Sequence, residues 1–160
     1  MVRRRYSLTG LFVASAVILG GTGCGGPDPA GAASLQWIVP PVLPPGALIS
    51  VVSGDPTRTG EFTLLVSMPD GYRIPPHSHP SYERVEIKEG TLLVGTGDRL
   101  DSKMTQALAA GDSATAPAGM HHFSIAKGRT LLSATFIGPY TITYVRAEDA
   151  PKPRTFPFGY

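Results

Sequence analysis

Cysteine is almost missing from this chain. Cys24 is the only one among 160 residues, so no disulfide within the chain can staple the fold. Histidine is scarce as well: there are four, His77, His79, His121 and His122, in two close groups. No apolar run approaches the ~20 residues that a helix needs to span a bilayer; residues 11–19 come nearest and fall short. Concentrated positive charge is absent too. The formal charge is +2, but three of the 14 basic residues are Arg3, Arg4 and Arg5, and the remaining 11 face 12 acidic residues. With no Lys/Arg cluster beyond that point, a nucleic-acid partner is excluded. A helical period is lacking throughout, and residues 101–110 have room for one turn at most. A chain of this length holds one domain and one core, and that core must be built from strands.

The N-terminus reads as a targeting segment. In residues 1–23 the three arginines precede the apolar stretch 11–19 and the small residues 20–23, the order of an export signal. Cys24 follows directly, a placement that resembles the lipid-modified cysteine of bacterial lipoproteins. The expectation is an exported protein, periplasmic or at the cell surface, anchored through Cys24 and touching the membrane only by that lipid. The alternative is a secreted protein cut later, within residues 30–33. Residues 24–45 read as a tether followed by an N-terminal arm: 25–33 are Gly, Pro, Ala and Asp with nothing to pack, whereas 35–45 carry Trp37, Ile38 and Val39 between prolines and are expected to lie against the domain.

From residue 48 the pattern is that of an all-β fold. Short runs rich in β-branched and aromatic residues occupy 48–53, 61–68, 82–88, 91–96, 112–116, 121–126, 130–137 and 141–145. Turn signals separate them, among them Asp70-Gly71, Glu89-Gly90, Gly97-Asp98, Lys127-Gly128 and Gly138-Pro139. Eight strands at this spacing form a sandwich or barrel. Residues 147–160 read as an irregular C-terminal tail.

The chemistry concentrates in residues 71–90. His77 and His79 share one face of an extended chain, and on 82–88 Glu83 falls with Val85 and Ile87, opposite Arg84, Glu86 and Lys88. A carboxylate turned toward the core is costly without a partner. Two imidazoles nearby make a divalent cation the partner that satisfies all three. In the second cluster, alternation sends His121 inward with Phe123 and Ile125, and His122 with Ser124 and Ala126.

These residues resemble a known family. Gly71, His77, His79, Glu83 and Gly90 fit G-x5-H-x-H-x3-E-x6-G, and Gly111, Pro117, Gly119 and His122 fit G-x5-P-x-G-x2-H, the two motifs of the cupins in their usual order. The resemblance implies a single double-stranded β-helix (jelly-roll) barrel over residues 46–146. It also implies one divalent metal near the barrel mouth on His77, His79, Glu83 and His122, with His121 left as a supporting or surface residue. Iron, manganese, nickel and zinc all suit such a set. Three His and one Glu leave two positions of an octahedron open to water, dioxygen or substrate. Residues expected to shape the pocket, by position or strand phase, are Tyr72, Arg73, Met120, Ser124 and Phe136. The implied functions are a small-molecule metalloenzyme of oxygenase or isomerase type or, alternatively, a non-catalytic metal- or ligand-binding module of the cell envelope. No catalytic acid or base of separate role stands out. A homodimer is a further expectation, with the face of His121, Phe123 and Ile125 as its candidate surface.

Overall fold

The computed structural model describes residues 35–152. The expected leader, Cys24, the tether 25–33 and all of the tail after Lys152 lie outside the described residues. Among the described residues no helix is long and apolar enough to cross a membrane.

Eight antiparallel strands run in the order β1 (Leu48–Ser53), β2 (Gly60–Met68), β3 (Arg73–Ser78), β4 (Glu83–Thr96), β5 (Gln106–Ala109), β6 (Ser113–Ala116), β7 (His122–Gly138) and β8 (Thr143–Tyr144), followed by a short 3₁₀ turn at Ala147–Asp149. Two of them, β4 and β7, are long enough to serve both layers of the barrel. The first half of β4 pairs with the second half of β7 (Arg84 opposite Thr135, Ile87 opposite Leu132), and its second half with the first half of β7 (Thr91 opposite Lys127, Thr96 opposite His122). β2 extends one layer along β7 from Gly60–Gly138 to Met68–Thr130, with β1 beyond it and β6 on the far side of β4. β3 and β8 extend the other layer, with β5 on its far side.

The core lies between the layers and follows strand alternation. On β2, Phe62, Leu64, Val66 and Met68 are buried at every second position. They meet Ile87 and Leu92 of β4 and Leu132, Ala134 and Phe136 of β7. Burying a side chain such as Phe62, which is fully inaccessible, stabilises by about 1.5–3 kcal/mol. The phenyl rings of Phe62 and Phe136 stack with centroids 5.4 Å apart.

Where the sequence separates 82–88 from 91–96, and 121–126 from 130–137, the chain is continuous. The glycine signals mark bends in β4 and β7, with register shifts between Ile87 and Glu89 and between Glu89 and Thr91. Gly90 sits at φ 77°, and a Cβ there would run into the carbonyl oxygen of Arg129. The bend is thus a place where the two strands cross from one layer to the other. β3 includes His77 of the extended stretch expected to end at Pro80; a register shift between Ile74 and His77 accommodates Pro75 and Pro76, which argue against regular pairing. Residues 101–110, read as a helical turn at most, contain β5.

The N-terminal arm does lie against the barrel. Ile38 and Ile49 exchange both backbone hydrogen bonds at 2.9 Å. The Tyr72 hydroxyl donates to the Pro44 carbonyl (2.6 Å) and the Tyr144 hydroxyl to the Val42 carbonyl (2.9 Å). Pro40 and Leu43 are buried, whereas Trp37, Ile38 and Val39 remain exposed. The expected pairing face is corrected: Phe123 and Ile125 are buried within the chain, Phe123 lying over Gly95 in space that a side chain there would need.

Candidate metal centre

Three strands bring the ligands together. His77 lies near the end of β3 and faces His122 at the start of β7 across the ladder. His79 follows where the chain leaves β3, and the Gly119 N–H donates to its carbonyl at 2.8 Å, tying the turn before His122 to the same place. Glu83 opens β4, with its side chain inward as alternation expects. One ligand atom from each of His77, His79, Glu83 and His122 lies within 4.8 Å of the others. His77 and His79 are 3% and 5% exposed.

Each imidazole is oriented by a backbone carbonyl. His77 Nδ1 lies 2.7 Å from the Pro75 oxygen, His79 Nδ1 2.8 Å from Thr141, and His122 Nδ1 2.9 Å from Met120. A carbonyl only accepts, so Nδ1 carries the hydrogen in all three rings and Nε2 of a neutral ring presents a lone pair. Those Nε2 atoms converge on Glu83: His122 Nε2 is 2.8 Å and His79 Nε2 3.6 Å from its Oε2. Lone pairs and a carboxylate gathered at one point repel unless a cation stands among them. The donor set therefore fits a divalent transition metal, with the carbonyl bonds acting as the outer support typical of metal-bound histidines.

The electrostatics agree. Burial, with His122 beside it, pulls His77 down to about 4. Burial also lowers His79, outweighing the charge of Glu83 and the Thr141 bond. Burial alone would raise Glu83, but the His122 hydrogen bond and the three imidazoles hold it below the ordinary carboxylate range. Burial opposes protonation of His122 as well; the hydrogen bond and charge of Glu83 prevail and raise it. A proton on His122 thus partly fills the role of the cation in the bare protein.

The ligands open into a cavity of about 400 Å³ between the layers, within the ~300–1,000 Å³ of small-molecule sites. Its walls are mainly aliphatic, from residues such as Leu64, Val66, Leu92, Val94, Leu132 and Ile142. Met120, Ser124 and Phe136 line it, as the sequence suggests, but Tyr72 and Arg73 do not. Tyr72 turns its hydroxyl to the arm. Arg73 is exposed because the shift in β3 puts Ile74 and His77 on the inner face together. His121 also stands outside: its Nδ1 pairs with Asp98 Oδ1 at 2.6 Å, with nearly half of its side chain exposed. Motif spacing, and not apolar alternation, therefore identifies the inward histidine.

Sequence reasoning missed Tyr140. Its ring stacks on His79 with centroids 5.5 Å apart and meets Phe136 edge-on at 5.1 Å. Its position just after the Gly138-Pro139 turn is the one signal that it leaves the ladder. Val42 and Leu43 of the arm and Thr96, Gln106 and Thr115 of the strands are further wall residues not foreseen.

No family model matches the chain. Over 55 residues it is 46% identical to germin-like protein 9-3 of Oryza sativa subsp. japonica, a match covering 34% of this chain and 26% of that relative. Among solved structures it resembles the polyketide cyclase RemF of Streptomyces resistomycificus (TM-score 0.62, 14% identity, 78% of this chain and 89% of that one). It also resembles an RmlC-like cupin of Shewanella frigidimarina (TM-score 0.54, 17% identity, 68% and 87%). A third similar structure is an oxalate oxidase (TM-score 0.52, 24% identity, 81% and 73%). Motif spacing, two-layer topology and these neighbours agree: the fold of this chain is that of the cupin superfamily.

Proposed function

We propose that this protein binds one divalent transition metal (iron, manganese, nickel or zinc) through His77, His79, Glu83 and His122, and acts with it on a small molecule as an enzyme of oxygenase or isomerase type. The observation that carries this reading is the pinning of all three Nδ1 atoms by carbonyls, which aims three lone pairs at one carboxylate. A divalent ion there supplies Lewis acidity at the positions the protein leaves open. The chain's own contribution is a cavity with aliphatic walls that excludes water around the reacting group. The test is elemental analysis of protein purified without a polyhistidine tag, beside Glu83→Ala and His122→Ala. The expected result is about one metal per chain, lost in both variants.

One observation favours a second reading. Glu83, itself a ligand, is the only carboxylate among the described residues lining the cavity, so no separate carboxylate acid or base serves the reaction. A binding module of the cell envelope, capturing a ligand without turnover, accommodates that. Capture with no oxygen uptake and no product over long incubation selects it.

The targeting reading is proposed alongside. The leader directs export, and Cys24 carries the lipid that holds the protein at the membrane, in the periplasm or at the cell surface. Cys24→Ala is then expected to move the protein from the membrane pellet to the soluble fraction. A homodimer is proposed as well, supported by the exposed apolar residues Trp37, Ile38, Val51 and Val52; a monomer in light scattering at high concentration removes it.

A further inference from the structure

The composition of the cavity wall says more than that it holds a small molecule. No Lys or Arg lines it among the described residues. Its polar groups besides the four ligands are uncharged: Thr96, Gln106, Thr115, Ser124 and Tyr140. A divalent ion against one carboxylate leaves one net positive charge. A ligand bringing one negative oxygen neutralises the site. A small dianion leaves a net negative charge among aliphatic side chains, with no cation to answer it, and that is costly in a poorly hydrated space.

Tyr140 adds direction. It lines the cavity beside His79, and its hydroxyl has no hydrogen-bond partner among the described residues. A phenol hydroxyl is protonated at neutral pH, so it is available as a donor.

We propose that the site selects an otherwise uncharged, largely apolar ligand with a single acidic oxygen, an enol or phenol next to a carbonyl, which binds toward the ligand set and accepts a hydrogen bond from Tyr140. Small dicarboxylates of the oxalate kind are rejected. On binding, the enol or phenol O–H releases its proton to the buffer and the oxygen carries the resulting charge; no redox change is involved. This inference rests on the metal reading for the acidic oxygen, but the preference for an apolar body rests on the cavity wall alone.

The test is calorimetric titration of the full chain, with metal content measured in the same sample and a metal-stripped portion run in parallel. The probes are tropolone (a one-proton chelator with an apolar ring), oxalate, and naphthalene, which cannot chelate. Tropolone is expected to bind the metal-loaded protein at least about tenfold more tightly than oxalate, and naphthalene to bind loaded and stripped protein alike. Tyr140→Phe is expected to weaken tropolone about fivefold, the size of one lost neutral hydrogen bond, while leaving metal content and naphthalene binding unchanged. Oxalate binding as tightly as tropolone overturns the proposal, as does failure of naphthalene to bind either form. An unchanged tropolone affinity in Tyr140→Phe overturns the part assigned to that residue. If the protein takes up no metal, the metal reading fails by the elemental measurement, and naphthalene binding with oxalate ignored still upholds the apolar preference.

Discussion

Each of the three site imidazoles commits its Nδ1 hydrogen to a backbone carbonyl, and this gives the site a definite response to acid. His77 and His79 are held below the ordinary histidine range and Glu83 below the ordinary carboxylate range. For groups with depressed values, the stability contributed is present above the unfolded-state value and lost as pH falls through the folded one. For His77 that window runs from 6.5 down to about 4, worth about 3 kcal/mol in the metal-free protein. His122 is raised and acts the other way: its contribution is present below the ordinary value and lost as pH rises through the raised one. Between pH 7 and pH 5 His77 and His79 act together against His122, while Glu83 acts only below the ordinary carboxylate value, so metal-free protein weakens on acidification. Urea unfolding at pH 7 and pH 5 checks this, and a higher midpoint at pH 5 contradicts it. At this scale the candidate ligands are legible: H-x-H and the core-phased Glu83 follow from spacing within one stretch, and His122 from the second motif of the resemblance. Arg73 stays outside because a register shift in β3, invisible in the residue pattern, turns Ile74 inward, and Tyr72 stays off the cavity because its hydroxyl bonds the Pro44 carbonyl of the arm. Tyr140 was missed because it reaches the site through a turn, where strand phase carries no information.

The elements that make the site possible are β4 and β7, each bent so that one strand serves two layers. Gly90 lies at φ 77° with the Arg129 carbonyl against its missing Cβ, while Gly128 lies at φ 74° with open space around it. Gly128→Ala meets only the left-handed backbone and is expected to cost about 1 kcal/mol. Gly90→Ala meets the backbone oxygen as well, and about 2–3 kcal/mol is expected. Chemical denaturation of the two variants measures the difference, and equal losses would show that the bend tolerates the contact. The strands themselves were largely legible: residues 48–53 coincide with β1, and 61–68 differs from β2 by one residue. The expected breaks at Gly90 and Gly128 are bends within β4 and β7, because a glycine at a bulge and a glycine at a hairpin leave the same mark in a sequence. β5 leaves no mark in the sequence, because four residues ending Leu108-Ala109 are too few to show a period.

The described residues form a barrel whose N-terminal arm lines part of a cavity. Pro40, Val42 and Leu43 contribute to the cavity wall, and two tyrosine hydroxyls hold the arm in place. Tyr144→Phe removes the bond to Val42 and is expected to destabilise by about 1 kcal/mol with metal content unchanged, since the hydroxyl is bonded to the arm and not to the ligands; thermal unfolding with metal analysis reads both. Metal binding to the folded chain alone stabilises it by mass action, about 2.7 kcal/mol at a free concentration 100 times the dissociation constant, so a chelator should lower the unfolding temperature. The all-β class is legible because alternation repeats over eight runs, which map onto six of the eight strands; the choice of a barrel over a sandwich rests on the two motifs. The cavity was not legible, since its walls come from both layers and from the arm.

The most direct test of the account is the metal-to-chain ratio in wild type and in single alanine variants of His77, His79, Glu83, His122 and His121. About one metal per chain is expected in wild type and in His121→Ala, and loss in the other four. Metal-free wild type after incubation with excess divalent ions would contradict it, as would metal retained in His122→Ala and lost in His121→Ala.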